Sequence, residues 1–257
     1  MDIGLCTGLG GLTGPMDGLA YIEPTVAGLL CPAQGEGGFA VNRAAAEAEP
    51  VPPKAVNCFF PGDLKNTGPD VDPDALDAWV ERCCRRSAAV GVETIVFGSG
   101  GSRAVPEGFD RDRASEQIVE NLRRYGPIAA RHGITLVLEP LARRHCNIVT
   151  TVDEGAERVR AAGHPNVLLL ADTYHMAEDG DPPEAIRRAE GLIAHVHCAE
   201  GNGRGPLGAT GEDQRPYFRA LKDIGYDGRI SLECRWDDLP AQLPGGIAEL
   251  RTQWETA

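Results

Sequence analysis

Four short apolar runs, each ending in a residue able to bind a cation, constrain this chain more than any other feature. ITLVLEP (Ile134–Pro140) ends in Glu139, and NVLLLADTYHM (Asn166–Met176) runs into Asp172, Tyr174 and His175. IAHVH (Ile193–His197) ends in His197, and RISLE (Arg229–Glu233) ends in Glu233. The run Val167–Leu170, this short and this apolar, reads as a parallel strand buried on both faces, and the other three segments have the same form. The steps from Glu139 to Asp172, His197 and Glu233 are 33, 25 and 36 residues, each about one strand–helix unit. Four successive strands marked in this way describe half the rim of a (β/α)8 TIM barrel. The chain length of 257 residues agrees with the roughly 250 of such a barrel.

The N-terminal half carries the same rhythm less clearly. Strands are expected at Asp2–Cys6, Leu19–Glu23, Ala55–Phe60 and Val92–Phe97. Thr7–Gly18 is glycine-rich without helical periodicity, so the first helix is expected to be short or absent. Between Ala27 and Lys54 the apolar pattern breaks down, and a short helix with a flap is the expectation there. Helices are predicted at Asp72–Val90, with Pro73 at its first position, and at Arg113–His132. Others are predicted at Asp153–Ala162, Pro183–Ala189, Arg215–Ile224 and from about Gly246 to Thr256, with Gly133, Gly163 and Gly225 as C-caps. Gly98–Arg103 (GSGGSR) reads as a turn. No linker or shorter repeat interrupts the pattern, so residues 1–257 are expected to form one domain with irregular helices near its N-terminus.

Charge and cysteine placement bound the function. A formal charge of −13 opposes nucleic acid and anionic membranes, since phosphate binding needs a basic surface. No apolar run approaches the roughly 20 residues of a membrane span, and MDIGLCTG enters a strand without a basic leader. A cytoplasmic location is therefore expected. The eight cysteines show no CxxC pair; Cys83 and Cys84 sit in a helix pattern and Cys198 and Cys234 follow His197 and Glu233, so they read as buried reduced thiols.

In a TIM barrel, functional groups gather at the C-terminal ends of the strands. Glu139, Asp172, His197 and Glu233 all lie there, and converging carboxylates need a cation between them. Three carboxylates and one imidazole suit one hard divalent ion, Mn²⁺ best, with Mg²⁺, Co²⁺ and Zn²⁺ as alternatives. His195 shares a face with His197 one layer down, where a hydrogen-bonded supporting histidine is expected. Glu200 is read as ordering the loop after strand seven or as solvated, and His132 and His164 as structural residues at helix ends. The glycine turn with Arg103 has the form of a phosphate cradle, but a bare turn is its commoner meaning.

The segments LEPLARRHCN, ADTYHMAED, HVHCAEGNGRGPLGATG and GYDGRISLE resemble the xylose-isomerase-like TIM-barrel superfamily of sugar isomerases and epimerases. The pattern is nearest to the D-tagatose and D-psicose 3-epimerases, over about Ile134 to Glu233. The resemblance implies Glu139, Asp172, His197 and Glu233 as metal ligands, and His175 and Arg204 as residues that bind substrate oxygens. His145 stands where those epimerases carry a further glutamate, on the substrate side, and Ala142 or Arg143 replaces an asparagine. Arg204 comes one residue late, after an inserted glycine.

The chemistry follows from the carboxylate pair. Glu139 and Glu233 reach the barrel mouth from nearly opposite sides, on strands three steps apart. One can remove a proton next to a carbonyl and the other return it on the opposite face, which is epimerisation; return to the neighbouring carbon is isomerisation. A carbohydrate is the expected partner, with self-association left open. A lyase could use the same centre, with His145 as the acid for a leaving group. A multi-zinc endonuclease would need further histidines, where strands three and four offer Asn57, Cys58, Phe97 and Gly98. A non-catalytic sugar-binding subunit would not need an intact ligand quartet.

Overall fold

The computed structural model describes residues 1–201 and 203–257. Eight parallel strands form one sheet: β1 (Asp2–Leu5), β2 (Tyr21–Ile22), β3 (Ala55–Val56), β4 (Thr94–Phe97), β5 (Thr135–Leu138), β6 (Val167–Asp172), β7 (Ile193–Cys198) and β8 (Arg229–Leu232). Their order is β2-β1-β8-β7-β6-β5-β4-β3. Parallel bridges of Ile22 with Pro53 and of Thr25 with Asn57 join the two outer strands and bring the sheet round into a barrel.

Helices cover the outside. After β2 come α1 (Val26–Leu29) and α2 (Glu36–Glu47), and after β3 comes α3 (Pro73–Ala89). After β4 lie α4 (Gly100–Arg103) and α5 (Arg111–Arg131), and after β5 lies α6 (Val152–Ala162). α7 (Thr173–Asp179) and α8 (Glu184–Arg188) follow β6, α9 (Arg215–Asp223) follows β7, and α10 (Leu239–Thr256) follows β8. No helix is described between β1 and β2, in keeping with the glycine-rich Thr7–Gly18.

Several elements differ from the sequence expectation. Strands two and three shrink from Leu19–Glu23 and Ala55–Phe60 to two residues each, because Pro24, Pro52, Pro53 and Pro61 remove ladder donors beside them. Strand four starts at Thr94 rather than Val92. The region expected as a short helix and flap instead holds the twelve-residue α2. Arg86 fixes its entry by donating to the carbonyls of Leu30 (2.8 Å), Cys31 (2.6 Å) and Gln34 (3.0 Å) and to Glu36 (2.9 Å). The expected turn at Gly98–Arg103 contains the one-turn α4, and α10 begins at Leu239 rather than near Gly246, capped by Asp238. α7 starts directly at the end of β6, where no helix was expected.

Side-chain alternation divides the strands between two cores. Residues such as Leu136, Leu138, Leu169, Ala171, Ile230 and Leu232 face the helices and join the main apolar core. Val96, Val137 and Leu170 form a separate small cluster, two residues before Gly98, Glu139 and Asp172. A register shift between Leu169 and Leu170 pairs Leu170 with His195 and Asp172 with His197. Without that bulge Asp172 would meet Val196, and the acid and the imidazole would face opposite ways.

Candidate metal centre and active site

Each member of the quartet is held by its strand end. Glu139 follows β5, and its N–H continues the ladder to the Phe97 carbonyl at 3.2 Å. Arg103, fully buried, donates to the carbonyls of Phe97 (2.7 Å) and Glu139 and clamps the ends of β4 and β5. That use leaves the Arg103 side chain no part in a phosphate cradle at GSGGSR. Gly98 lies against the Glu139 carboxylate, where any Cβ would overlap an oxygen. Asp172 is also the N-cap of α7: its Oδ1 accepts from the N–H groups of Tyr174 (2.8 Å) and His175 (3.4 Å). The cap fixes the carboxylate and leaves Oδ2 facing the site. Glu233 follows β8, its N–H bonded to the Cys198 carbonyl at 3.2 Å.

The four side chains converge as the sequence predicts, each with a ligand atom within 4.8 Å of the others. His197 Nδ1 lies 3.3 Å from Glu139 Oε1 and 2.9 Å from Glu233 Oε2. It makes no properly directed hydrogen bond to either. The other ring nitrogen, Nε2, is committed to Glu23 Oε1 at 2.8 Å. An imidazole with a carboxylate behind it and its second nitrogen aimed among carboxylates fits a divalent ion, and so does the mixed oxygen and nitrogen donor set.

Glu23 is the residue that the sequence reading missed. It ends β2, after the apolar run Leu19–Ile22, in the same way that the quartet ends its strands. It is buried and accepts from His195 Nε2 (2.8 Å), His197 Nε2 (2.8 Å) and Ser231 Oγ (2.6 Å), and Ser231 in turn bonds Tyr21 Oη at 2.7 Å. His195 is thus the hydrogen-bonded supporting residue expected from its position. Burial alone would keep Glu23 protonated, but His197 and His195 hold it well below the usual carboxylate range. Burial likewise opposes a charge on His197, yet Glu23 and Glu233 push its pKa well up. Glu233 is raised by burial against the pull of His197. Asp172, despite burial, is lowered by His175, Arg204 and His197.

A cavity of about 250 Å³ opens over the quartet, with Asn57, Cys58, His145, His175 and Arg204 among its walls. His175 is buried, its Nδ1 has no partner, and its Nε2 is 3.6 Å from Asp172 Oδ2, too long for a hydrogen bond. His145 sits at the rim with its ring 5.4 Å from that of His175. Arg144 Nε, held by a 2.6 Å ion pair of its guanidinium with Glu178, donates to His145 Nε2 at 3.1 Å. Partial burial and the neighbouring His175, Arg144 and Arg204 depress the His145 pKa. Arg204 reaches the cavity too, but its guanidinium lies on Asp172 and Glu233 themselves.

The remaining candidates are structural. Glu200 is fully buried and orders the loop after β7, accepting from the N–H groups of Gly208 (2.8 Å), Thr210 (2.6 Å), Gly211 (3.2 Å) and Glu212 (3.2 Å). His132 pairs with Glu81 at 2.7 Å, and His164 accepts from the Asn166 N–H at 3.1 Å. All eight cysteines are free, and among the described residues no helix is long and apolar enough to cross a membrane.

Relatives share this architecture. A human protein assigned as hydroxypyruvate isomerase is 29% identical over 187 residues, 68% of this chain and 65% of its own. The D-psicose 3-epimerase of Agrobacterium fabrum is 34% identical over 162 residues, 61% of this chain and 55% of its own. The matched segments therefore span less than two thirds of either relative. The crystal structure of a D-psicose 3-epimerase in the presence of D-fructose superposes with a TM-score of 0.79 at 22% identity, covering 100% of this chain and 98% of that one. The family model described as xylose isomerase-like TIM barrel matches residues 42–254, and the chain belongs to that family.

Proposed function

We propose that this protein is a divalent-metal-dependent isomerase or epimerase of a keto sugar or related carbohydrate. Glu139, Asp172, His197 and Glu233 would hold one ion, for which Mn²⁺ suits the donor set best. The observation that carries the reading is the approach of Glu139 and Glu233, from β5 and β8, to the same His197 Nδ1 at 3.3 and 2.9 Å. The bound ion would supply Lewis acidity to a substrate carbonyl and its neighbouring hydroxyl. One glutamate takes the proton from the adjacent carbon, and the other returns it on the opposite face. His175 and His145 line the cavity where substrate oxygens would lie, and the eight free thiols suit work in a reducing compartment such as the cytoplasm.

A lyase reading needs His145 as an acid. Its Nε2 already accepts from Arg144, and its pKa is depressed, so the ring is neutral near pH 7 and suits hydrogen bonding better than proton delivery.

The test is solvent-deuterium incorporation with a panel of keto sugars and 3-keto-glycosides. Wild type should place label next to the carbonyl as it turns over. Glu139→Gln and Glu233→Gln should each lose about 10²–10⁴-fold in rate, one failing with one epimer and the other with its partner. If both variants keep their metal and near-normal exchange, neither glutamate is the base.

A further inference from the structure

A guanidinium stands where the ion would need two of its ligands. Arg204 Nη2 is 3.1 Å from Asp172 Oδ2 and is bonded to Glu233 Oε2. The first is the Asp172 oxygen that the α7 cap leaves free; the second is the Glu233 oxygen 2.9 Å from His197 Nδ1. Among the described residues, no other arginine or lysine pairs with a carboxylate of the quartet. We propose that Arg204 is a stand-in cation: it neutralises Asp172 and Glu233 in the metal-free protein and has to release them for an ion to bind. This rests on the metal centre proposed above.

The surroundings of Arg204 serve both positions. Its backbone lies in the left-handed region, φ 60°, unfavourable for a residue with a side chain. Hydrogen bonds hold it there, from the Arg235 N–H to the Arg204 carbonyl at 2.7 Å and from Arg204 Nε to the Glu233 carbonyl at 3.0 Å. The guanidinium also rests 4.7 Å from the centre of the Tyr174 ring, a face that favours a cation without using either carboxylate. Converging carboxylates without a counter-charge repel one another and destabilise the metal-free fold. Arg204 removes that repulsion until an ion takes over. Once displaced, it is free to donate to a substrate oxygen, so the ion binds first and the substrate second.

The experiment compares chelator-stripped wild type, Arg204→Met and Arg204→Lys, titrated calorimetrically with Mn²⁺ at pH 8 and melted with and without it. Arg204→Met has no charge-assisted bonds to break and should bind Mn²⁺ about tenfold tighter or more, and its metal-free form should melt roughly 2–4 °C or more below wild type. Arg204→Lys, which keeps the charge, should stay closer to wild type in both. If Arg204→Met matches wild type in Mn²⁺ affinity and metal-free melting, Arg204 serves the substrate alone and the stand-in role is wrong. If wild type binds no Mn²⁺, the metal centre falls, and the stand-in with it. Should Arg204→Met not fold, Mg²⁺ titration of wild type still decides: the Arg204 Nε–H resonance should shift on saturation, and an unmoved signal overturns the proposal.

Discussion

Replacing Glu23 by glutamine tests whether the carboxylate behind His197 supports the metal centre. Glu23 presents two anionic oxygens to three donors, at 2.8 Å from each histidine and 2.6 Å from Ser231. Glutamine has the same size but only one accepting oxygen. If that oxygen faces His197, its NH₂ faces the His195 N–H, and a charge-assisted bond becomes a donor–donor clash. Loss of one hydrogen bond to a charged group costs about 1.5–3 kcal/mol. In a domain near this size that corresponds to a metal-free melting point roughly 3–12 °C lower. The anion that orients His197 and raises its basicity is also gone, so metal affinity should fall about 10–100-fold. Differential scanning fluorimetry with chelator reads the first effect, and Mn²⁺ titration calorimetry the second. If Glu23→Gln bound Mn²⁺ as wild type does and melted at the same temperature, the network under the site would have no part in holding His197.

Three further outcomes are expected. Gly98→Ala inserts a Cβ into the Glu139 carboxylate and should lower metal affinity at least about tenfold; full metal content on elemental analysis would count against Glu139 as a ligand. His145→Ala should change kcat/KM with little effect on metal content, and a loss of metal like that of Asp172→Asn would move His145 to the wrong side of the site. The third concerns pH. In the metal-free protein the His197 pKa is raised above its ordinary 6.5, so the stabilisation it gives is fully present below 6.5 and is lost as pH rises through the raised value. Metal-free melting temperature should therefore fall on the alkaline side while the Mn²⁺-loaded form resists, and affinity should climb by up to about tenfold per pH unit for one released proton. A pH-independent affinity would mean that no proton leaves His197 on binding.

The half of the molecule that carries the quartet was legible because its strands are short, mostly apolar segments that each end in an acid or an imidazole. Glu139, Asp172, His197 and Glu233 needed only that pattern and the parallel ladder to be brought together. Glu23 obeys the same rule at the end of Leu19–Glu23, but its partner His197 lies 174 residues away, and no local pattern places the carboxylate behind that ring. α2 was obscured for a different reason: its order depends on Arg86, which lies fifty residues from Glu36 in sequence, and no local pattern encodes that bond. α7 was hidden because Asp172 acts both as a site residue and as a helix cap, and the first role masked the second. The position of Arg204 on the carboxylates follows from a left-handed backbone residue, which spacing alone does not reveal.

The barrel is not equally stiff around its circumference. From β4 to β8 the ladder is continuous, and the four quartet strand ends sit on that arc. β2 and β3, on the far side of the ring, meet through two isolated bridges. Asn57 belongs to one of those bridges and also walls the cavity, next to Cys58. The cavity wall at Asn57 is therefore tied by fewer ladder bonds than the arc that carries the quartet. Amide protons along β2 and β3 should exchange with solvent faster than those of β5 to β8.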